Sequence, residues 1–413
     1  MNENNKKQHR ILLAHPGTQY SFHLAAQLER LGMLSCFVTG FAVGNDNWYQ
    51  RILPKRLRKQ LLRRTVNIPQ RKIFALALLE FVALRKVQKG MSPAKAFYTR
   101  NRLFQEQIPQ RLIEAATIII GFDTSSWMLI GRCKKAGKPF VLDASIAHPL
   151  SQQTIFEGLR QRYPGWSEQL PSKDSVMIAL ENLEMQSANS IVVASQFTKI
   201  TYINNGISPE KIAVNGYGTD LKYFTSKWRK IDSIISTSTP TRFLFFSKIS
   251  ARKGFPWLCA VWEKFHRQYP NTVLIAAGYD QPPADFVLPA GIELTGFVHP
   301  NDRLSLFHSA DVFVFPSFFE GFAQVIIEAM ACGLPVITTT HTVGPEVIEN
   351  GINGYCIEPG DDAALYNSLN YFMEQPTAIA NMGRNARQAV EGLSWDAYGE
   401  RWKEILEGVR SDA

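Results

Sequence analysis

Cysteine is sparse in this chain. Its five thiols, Cys36, Cys133, Cys259, Cys332 and Cys356, are scattered along 413 residues, odd in number and without a Cys-x-x-Cys pair. That argues against a disulfide framework or a thiolate zinc site and for reduced, buried thiols in a cytoplasmic protein. The eight histidines show no His-Glu-x-x-His spacing, so no histidine metal site is indicated. Long hydrophobic runs are also missing. The best stretch, Ile73 to Leu84, is short and contains Glu80, which fits a core or interfacial helix better than a membrane span. Met1 to Arg10 is polar and no signal peptide opens the chain, so the expectation is a protein made and kept in the cytosol. No short-period repeat is present.

Acids are absent from Arg51 to Lys72, a segment with nine bases, equal to the whole formal excess of +9. Leu53, Leu57 and Leu61 recur at i, i+4, i+8 within it, and Pro54 suits a first helical turn. A basic amphipathic helix of this kind reads as a surface for anionic lipid, which would make the protein peripheral on the inner face of a membrane. The competing reading is a solvated face whose leucines pack inward. Nucleic acid is the weakest partner, because the segment offers no aromatic side chain to stack on bases.

Apolar residues make up 45% of the chain, and its length suffices for two packed domains. Ile11–Ala14, a turn at His15-Pro16-Gly17-Thr18, a helix from Tyr20 to Leu31 and a strand from Leu34 to Thr39 form a βαβ opening. Strands are expected at 117–122, 139–143, 191–193 and 211–214, with a helix at 174–188 and a helix cap at Ser195. Asn215 to Asp220 reads as a glycine hinge, followed by the polar stretch Ser233 to Pro240. A second β/α series then runs through strands at 242–246, 272–277, 292–297, 312–315, 336–338 and 354–357, with a helix at 257–269. The tail from Trp395 to Val409 has a helical pattern.

The stretch Phe315 to Thr338 carries the most chemistry. Glu320 and Glu328 stand eight residues apart. Gly321, Phe322 and Ala323 lead into a helix over 324–332, which Gly333 and Pro335 stop. One carboxylate precedes the helix and the other rides on its third turn. Free N–H groups at the helix start suit a phosphate or a sugar oxygen, and each carboxylate can bind a pair of neighbouring hydroxyls.

This stretch resembles the Glu-x7-Glu motif of the family-4 glycosyltransferases, retaining enzymes of GT-B fold, through Pro316, Ser317, Glu320, Gly321, Phe322, Glu328, Ala329, Met330, Ala331, Gly333, Pro335, Val336 and Ile337. Ala323 stands where the family usually has Gly. The resemblance is strongest over 242–360 and thinner over 11–220. It implies an α/β protein of two Rossmann-like domains facing a cleft. Residues 1–216 would form the acceptor-side domain and 217–390 the nucleotide-sugar domain, with 391–413 crossing back to the first.

The implied reaction moves a hexosyl group from a nucleoside diphosphate sugar to an acceptor hydroxyl, in glycan, polysaccharide or glycolipid synthesis. An epimerase or hydrolase of the same fold and a non-catalytic sugar-binding subunit are the alternatives. Glu320, Lys253 and His148 are the candidate catalytic residues. Gly17, Thr18, Lys248, Lys253, Val298, Gly321, Phe322, Ala323 and Glu328 are the candidate donor contacts. Lys248 stands at a family Arg position, and Arg252 is a weaker candidate for the diphosphate. Gly344-Pro345-Glu346 matches a family loop but is left outside the site. The chain has no Asp-x-Asp motif, so lysines and helix N-termini would hold the diphosphate without a metal or other cofactor. Donor base, sugar and acceptor stay open.

Overall fold

A computed structural model describes residues 9–18, 20–46, 62, 64–226 and 239–409. Two parallel sheets organise them. In the first half the strands are β1 (Ile11–His15), β2 (Leu34–Thr39), β3 (Val43–Gly44), β4 (Thr65–Val66), β5 (Ile73–Ala75), β6 (Ile118–Phe122), β7 (Phe140–Ala144), β8 (Ser190–Val193) and β9 (Ile212–Val214). Seven of them form one sheet in the order β5-β2-β1-β6-β7-β8-β9, while β3 and β4 pair separately. The second half supplies β10 (Thr241–Phe246), β11 (Thr272–Ala277), β12 (Ile292–Gly296), β13 (Val312–Phe315), β14 (Val336–Thr339) and β15 (Gly354–Ile357), ordered β12-β11-β10-β13-β14-β15.

The central strands are continuous apolar runs because helices cover both faces of each sheet. β1, β6, β7 and β13 are buried at every position. Strand order reverses beside β1 in one sheet and beside β10 in the other, and ligand sites form outside the carboxyl ends at such reversals. Those ends meet here. A side chain at Gly321 would come within 2.0 Å of the Ser145 carbonyl oxygen just past β7, so only glycine lets the two halves touch there. Ser195 and Thr198 hydroxyls donate to the Gly321 carbonyl at 2.7 and 3.0 Å.

The Trp395–Gly408 helix returns to the first half, as expected. It packs on the Ser21–Arg30 helix, with Arg30 bonded to Glu400 at 2.8 Å and Gln27 to Asp396 at 3.1 Å. Arg401 holds Asn215 and Gly216 at 2.8 and 2.7 Å, and Trp402 is fully buried. The glycines of 215–220 serve space rather than an unusual backbone. A Cβ on Gly216 would meet the Phe322 ring at 2.9 Å, and one on Gly218 would meet Trp395 N at 2.4 Å. Most of the polar stretch 233–240 lies outside the described residues.

Two sequence expectations need correction. Ile73 to Leu84 is not one helix: Ile73–Ala75 is the edge strand β5, and a helix starts only at Ala77, running to Gln88. Within the basic segment, residues 51–61 and 63 lie outside the described residues. From Arg64 on it is a turn, strand β4 and a 3-10 turn at Gln70–Lys72 rather than helix. Arg64 and Lys72 are paired internally, with Glu80 at 3.7 Å and Glu29 at 2.5 Å.

Candidate active site

Between the two sheets lies a cavity of about 580 Å³ whose wall includes Tyr20, Ser145, Lys248, Arg252, Lys253, Val298, Arg303, Glu320, Gly321, Phe322, Ala323 and Glu328. Glu320 is placed by the segment that leaves β13. Its Oε1 accepts hydrogen bonds from Lys253 Nζ at 2.5 Å, Ser317 Oγ at 2.6 Å and Arg252 Nη1 at 3.1 Å. Burial alone would raise this carboxyl, but Lys253, Arg252 and Ser317 hold it below its usual value. Lys253 comes from the turn after β10. Gly254 follows it in the left-handed region, φ 75°, with its Cα so close to Pro316 that a Cβ would lie 1.9 Å from that carbonyl oxygen. This close crossing brings Lys253 against the end of β13, with Nζ 5.0 Å from the centre of the Phe315 ring. Burial pushes the Lys253 ammonium down to about 8, against the pull of Glu320 and with Arg252 adding to the fall.

Glu328 points into the same cavity from the Gln324–Ala331 helix. Its cationic neighbour is Arg303, at 3.7 Å. Burial pushes its carboxyl up to about 7, and Arg303 offsets this only in part. Lys248, also on the wall, pairs with Asp280 at 2.9 Å. The wall thus carries four cations, Lys248, Arg252, Lys253 and Arg303, against two carboxylates. With the N–H groups at the helix start, it is built to receive a polyanion.

Ala323 caps this helix at φ 71°, ψ 65°. This left-handed conformation costs a residue with a Cβ about 1–2 kcal/mol. That is a physical reason for glycine at this position and marks Ala323 as strained.

Three expected residues are not on the wall. His148 is the N-cap of the Pro149–Arg162 helix: its Nδ1 accepts from Leu150 N at 3.3 Å, its ring meets Tyr202 edge-on, and burial lowers its pKa to about 4. It is engaged in holding a helix start, while Ser145 and Ile146 of the same loop reach the cavity. The Ser21 hydroxyl donates to the carbonyls of Gly17 and Thr18, at 3.4 and 2.6 Å, and Tyr20 lines the cavity instead. Arg252, the weaker candidate for the diphosphate, lies on the wall and donates to Glu320 at 3.1 Å. Arg303 and Tyr20 carried no signal. Only the fold brings Arg303, ahead of β13, opposite Glu328.

A neighbouring cavity of about 500 Å³ shares Tyr20, Ser145 and Ile146 with the first and adds Asp123 and Thr124. Burial pushes the Asp123 carboxyl up to about 6, even as it accepts from the Ser145 hydroxyl and N–H at 3.1–3.2 Å. A third cavity, of similar size, lies among Leu150, Phe197, Asn205 and His341, and its wall includes no lysine, arginine or carboxylate. It lacks what a polyanion requires. Among the described residues no group of three or more His, Cys, Asp or Glu gathers to hold a metal ion.

Residues 226–389 match the family described as Glycosyl transferases group 1. The capsular polysaccharide biosynthesis glycosyltransferase CapM of Staphylococcus aureus is 26% identical over 229 residues, 52% of this chain and 60% of CapM, so the match spans less than two thirds of that relative. Among solved structures, sucrose-phosphate synthase from Thermosynechococcus elongatus superposes with a TM-score of 0.64 at 18% identity, covering 97% of this chain and 98% of that one. Anabaena Alr3699/HepE in complex with UDP and glucose does so at 0.62 and 16%, covering 97% and 99%. The fold is that of the GT-B glycosyltransferases, and the family match lies in the second half of the chain.

Proposed function

We propose that the cleft binds a nucleoside diphosphate sugar and transfers its hexosyl group to an acceptor hydroxyl with retention of anomeric configuration. The observation that carries this reading is the cluster of Lys253, Arg252 and Glu320 in one cavity with Glu328 and Arg303. In this reading Lys253 and Arg252 meet the diphosphate, whose charge grows as the glycosidic bond breaks. The N–H groups around Gly321 to Ala323 add donors to it. Lys248 joins after leaving Asp280. Glu328 takes the ribose hydroxyls, and Phe297, Val298 and Tyr279 offer an apolar wall for the base. Glu320 orients the hexose and keeps Lys253 charged. The acceptor enters from the side of Tyr20, Ser145 and Asp123.

With retention, the donor phosphate takes the acceptor's proton on the face from which it departs, so no nucleophilic side chain is required. The first half of the chain, to about residue 216, together with 391–413, would act as the acceptor unit, and 217–390 as the donor unit. UDP is the first nucleotide to try, since the Alr3699/HepE structure holds it.

Product analysis by NMR, with and without a sugar acceptor, tests this. An α-linked donor should yield an α-linked product only when acceptor is present. Inverted linkage would remove the retaining assignment, and free sugar or an epimerised donor without acceptor would replace transfer by hydrolysis or epimerisation.

A further inference from the structure

The Ala77–Gln88 helix turns more large apolar side chains outward than inward. Glu80 and Ala83 face inward and are buried, while Leu78 is 72% and Phe81 56% exposed, and Val82 and Leu84 are also exposed. Leu78, Phe81, Val82 and Arg85 fall at i, i+3, i+4, i+7, a single outward stripe. Four of the fifteen exposed large hydrophobic side chains among the described residues lie on these 12 residues. Apolar side chains concentrated in this way mark an interaction surface.

Charge decides the partner. Between residues 73 and 105 Glu80 is the sole acid, against six bases. Glu80 is neutralised by Arg100 at 2.8 Å and Arg64 at 3.7 Å. Arg85 lies over the Phe81 ring, 5.3 Å from its centre, at the edge of the stripe. The nine bases of 51–72 precede this region in sequence. An apolar stripe bordered by cations, with no free carboxylate on its helix, matches an anionic bilayer surface. Among the described residues no helix is long and apolar enough to cross a membrane, so contact here is shallow.

We propose that the Leu78–Phe81–Val82 face inserts into the interface of an anionic membrane. Its position connects it to the cleft. Arg100, bound to Glu80, also donates to Asn101 Oδ1 at 2.8 Å, and Asn101 Nδ2 donates to the Thr124 carbonyl at 2.8 Å on the wall of the Asp123 cavity. The membrane contact stands independently of the reaction proposed above. Where both hold, the acceptor is one carried at the membrane surface.

The full chain is sedimented with vesicles of phosphatidylcholine alone and of phosphatidylcholine mixed with phosphatidylglycerol. The parent should bind the anionic vesicles. The triple variant Leu78→Gln, Phe81→Gln, Val82→Gln should bind them at least about tenfold less, because the inserted apolar area is gone. Its melting temperature should match the parent's, since all three side chains point outward. In the parent background, Phe81→Trp should give a blue shift of emission with anionic vesicles. Three results would overturn the proposal: a parent that ignores anionic vesicles at low salt, a triple variant that binds like the parent, or a Phe81→Trp variant whose emission is unmoved by the vesicles that carry it. A parent that sediments as a dimer, becomes monomeric in the triple variant and shows no vesicle binding would assign the stripe to a second copy of this chain instead.

Discussion

Lys253 Nζ lies 2.5 Å from Glu320 Oε1, so the cation assigned to the diphosphate and the carboxylate assigned to the hexose form one ion pair in the cleft. The pair is buried, and neither partner acts alone. Glu320→Gln should destroy sugar transfer, because orientation of the donor contributes several kcal/mol of barrier lowering. Nucleotide binding should survive at pH 6.5, where Lys253 keeps its proton even with weaker support. Transfer within about tenfold of the parent rate would show that Glu320 is not at the centre of the site.

Lys253 also sets a pH dependence. Burial disfavours the charge and pushes its ammonium down to about 8. A bound diphosphate favours the charged form, so donor affinity should be full below pH 8 and fall as pH rises through it. Lys253→Ala should remove that fall and lower kcat about a hundredfold or more, by analogy with the loss of an oxyanion donor. Calorimetric titration of nucleoside diphosphate from pH 6.5 to 9.5 reads the first effect. A flat profile in the parent would separate Lys253 from the phosphate.

Glu328 sets a pH dependence of stability. Its carboxyl is raised from the ordinary 4.5 to about 7 by burial. A raised carboxyl stabilises the fold in its protonated form, and that contribution is lost as pH rises through 7. Glu328→Gln should therefore compare most favourably with the parent above pH 7, by up to about 3 kcal/mol relative to acid pH. Above pH 7, where Glu328 is ionised, the substitution should also weaken donor binding, since each charge-assisted bond to a hydroxyl contributes about 1.5–3 kcal/mol. Unfolding curves at pH 5 and pH 8, paired with nucleotide titrations, check both signs. Unchanged nucleotide affinity would take Glu328 out of the site.

The left-handed Ala323 gives a prediction about strain. Ala323→Gly should stabilise the protein by up to about 1 kcal/mol, the relief at φ 71° exceeding the entropy that glycine adds to the unfolded chain. Transfer should not suffer, because the backbone N–H is unchanged. A drop in melting temperature would mean that the methyl group packs to advantage.

Much of this was legible in the sequence wherever one physical effect dominated. Strands β11, β13 and β15 fall on the residues expected of them, because runs such as Val312–Phe315 are buried on both faces and bounded by turns. Glu320, Lys253 and Glu328, named from the family resemblance, come together on one cavity wall because they sit at the ends of such strands and on the helix that follows. The place of His148 was less legible: Pro149 starts a helix, and the histidine just before it caps that helix by accepting from the Leu150 N–H. Arg303 and Tyr20 are in the site only by topology, 25 and 308 residues from Glu328 in sequence. The exposed stripe at Leu78 and Phe81 was hidden for a related reason. An apolar run shows hydrophobicity but not direction, and only packing against the first sheet reveals which side faces out.

The most direct test of the central claim is thermal stabilisation by UDP-, GDP- and ADP-sugars, measured on the parent, on Lys253→Ala and on Glu328→Gln. One nucleotide sugar should stabilise the parent by roughly 2.7 kcal/mol at about 100 times its dissociation constant, and both variants should lose most of that shift at the same concentration. No response of the parent to any of the three, or an equal response in all three proteins, would contradict a nucleotide-sugar site at Lys253, Glu320 and Glu328.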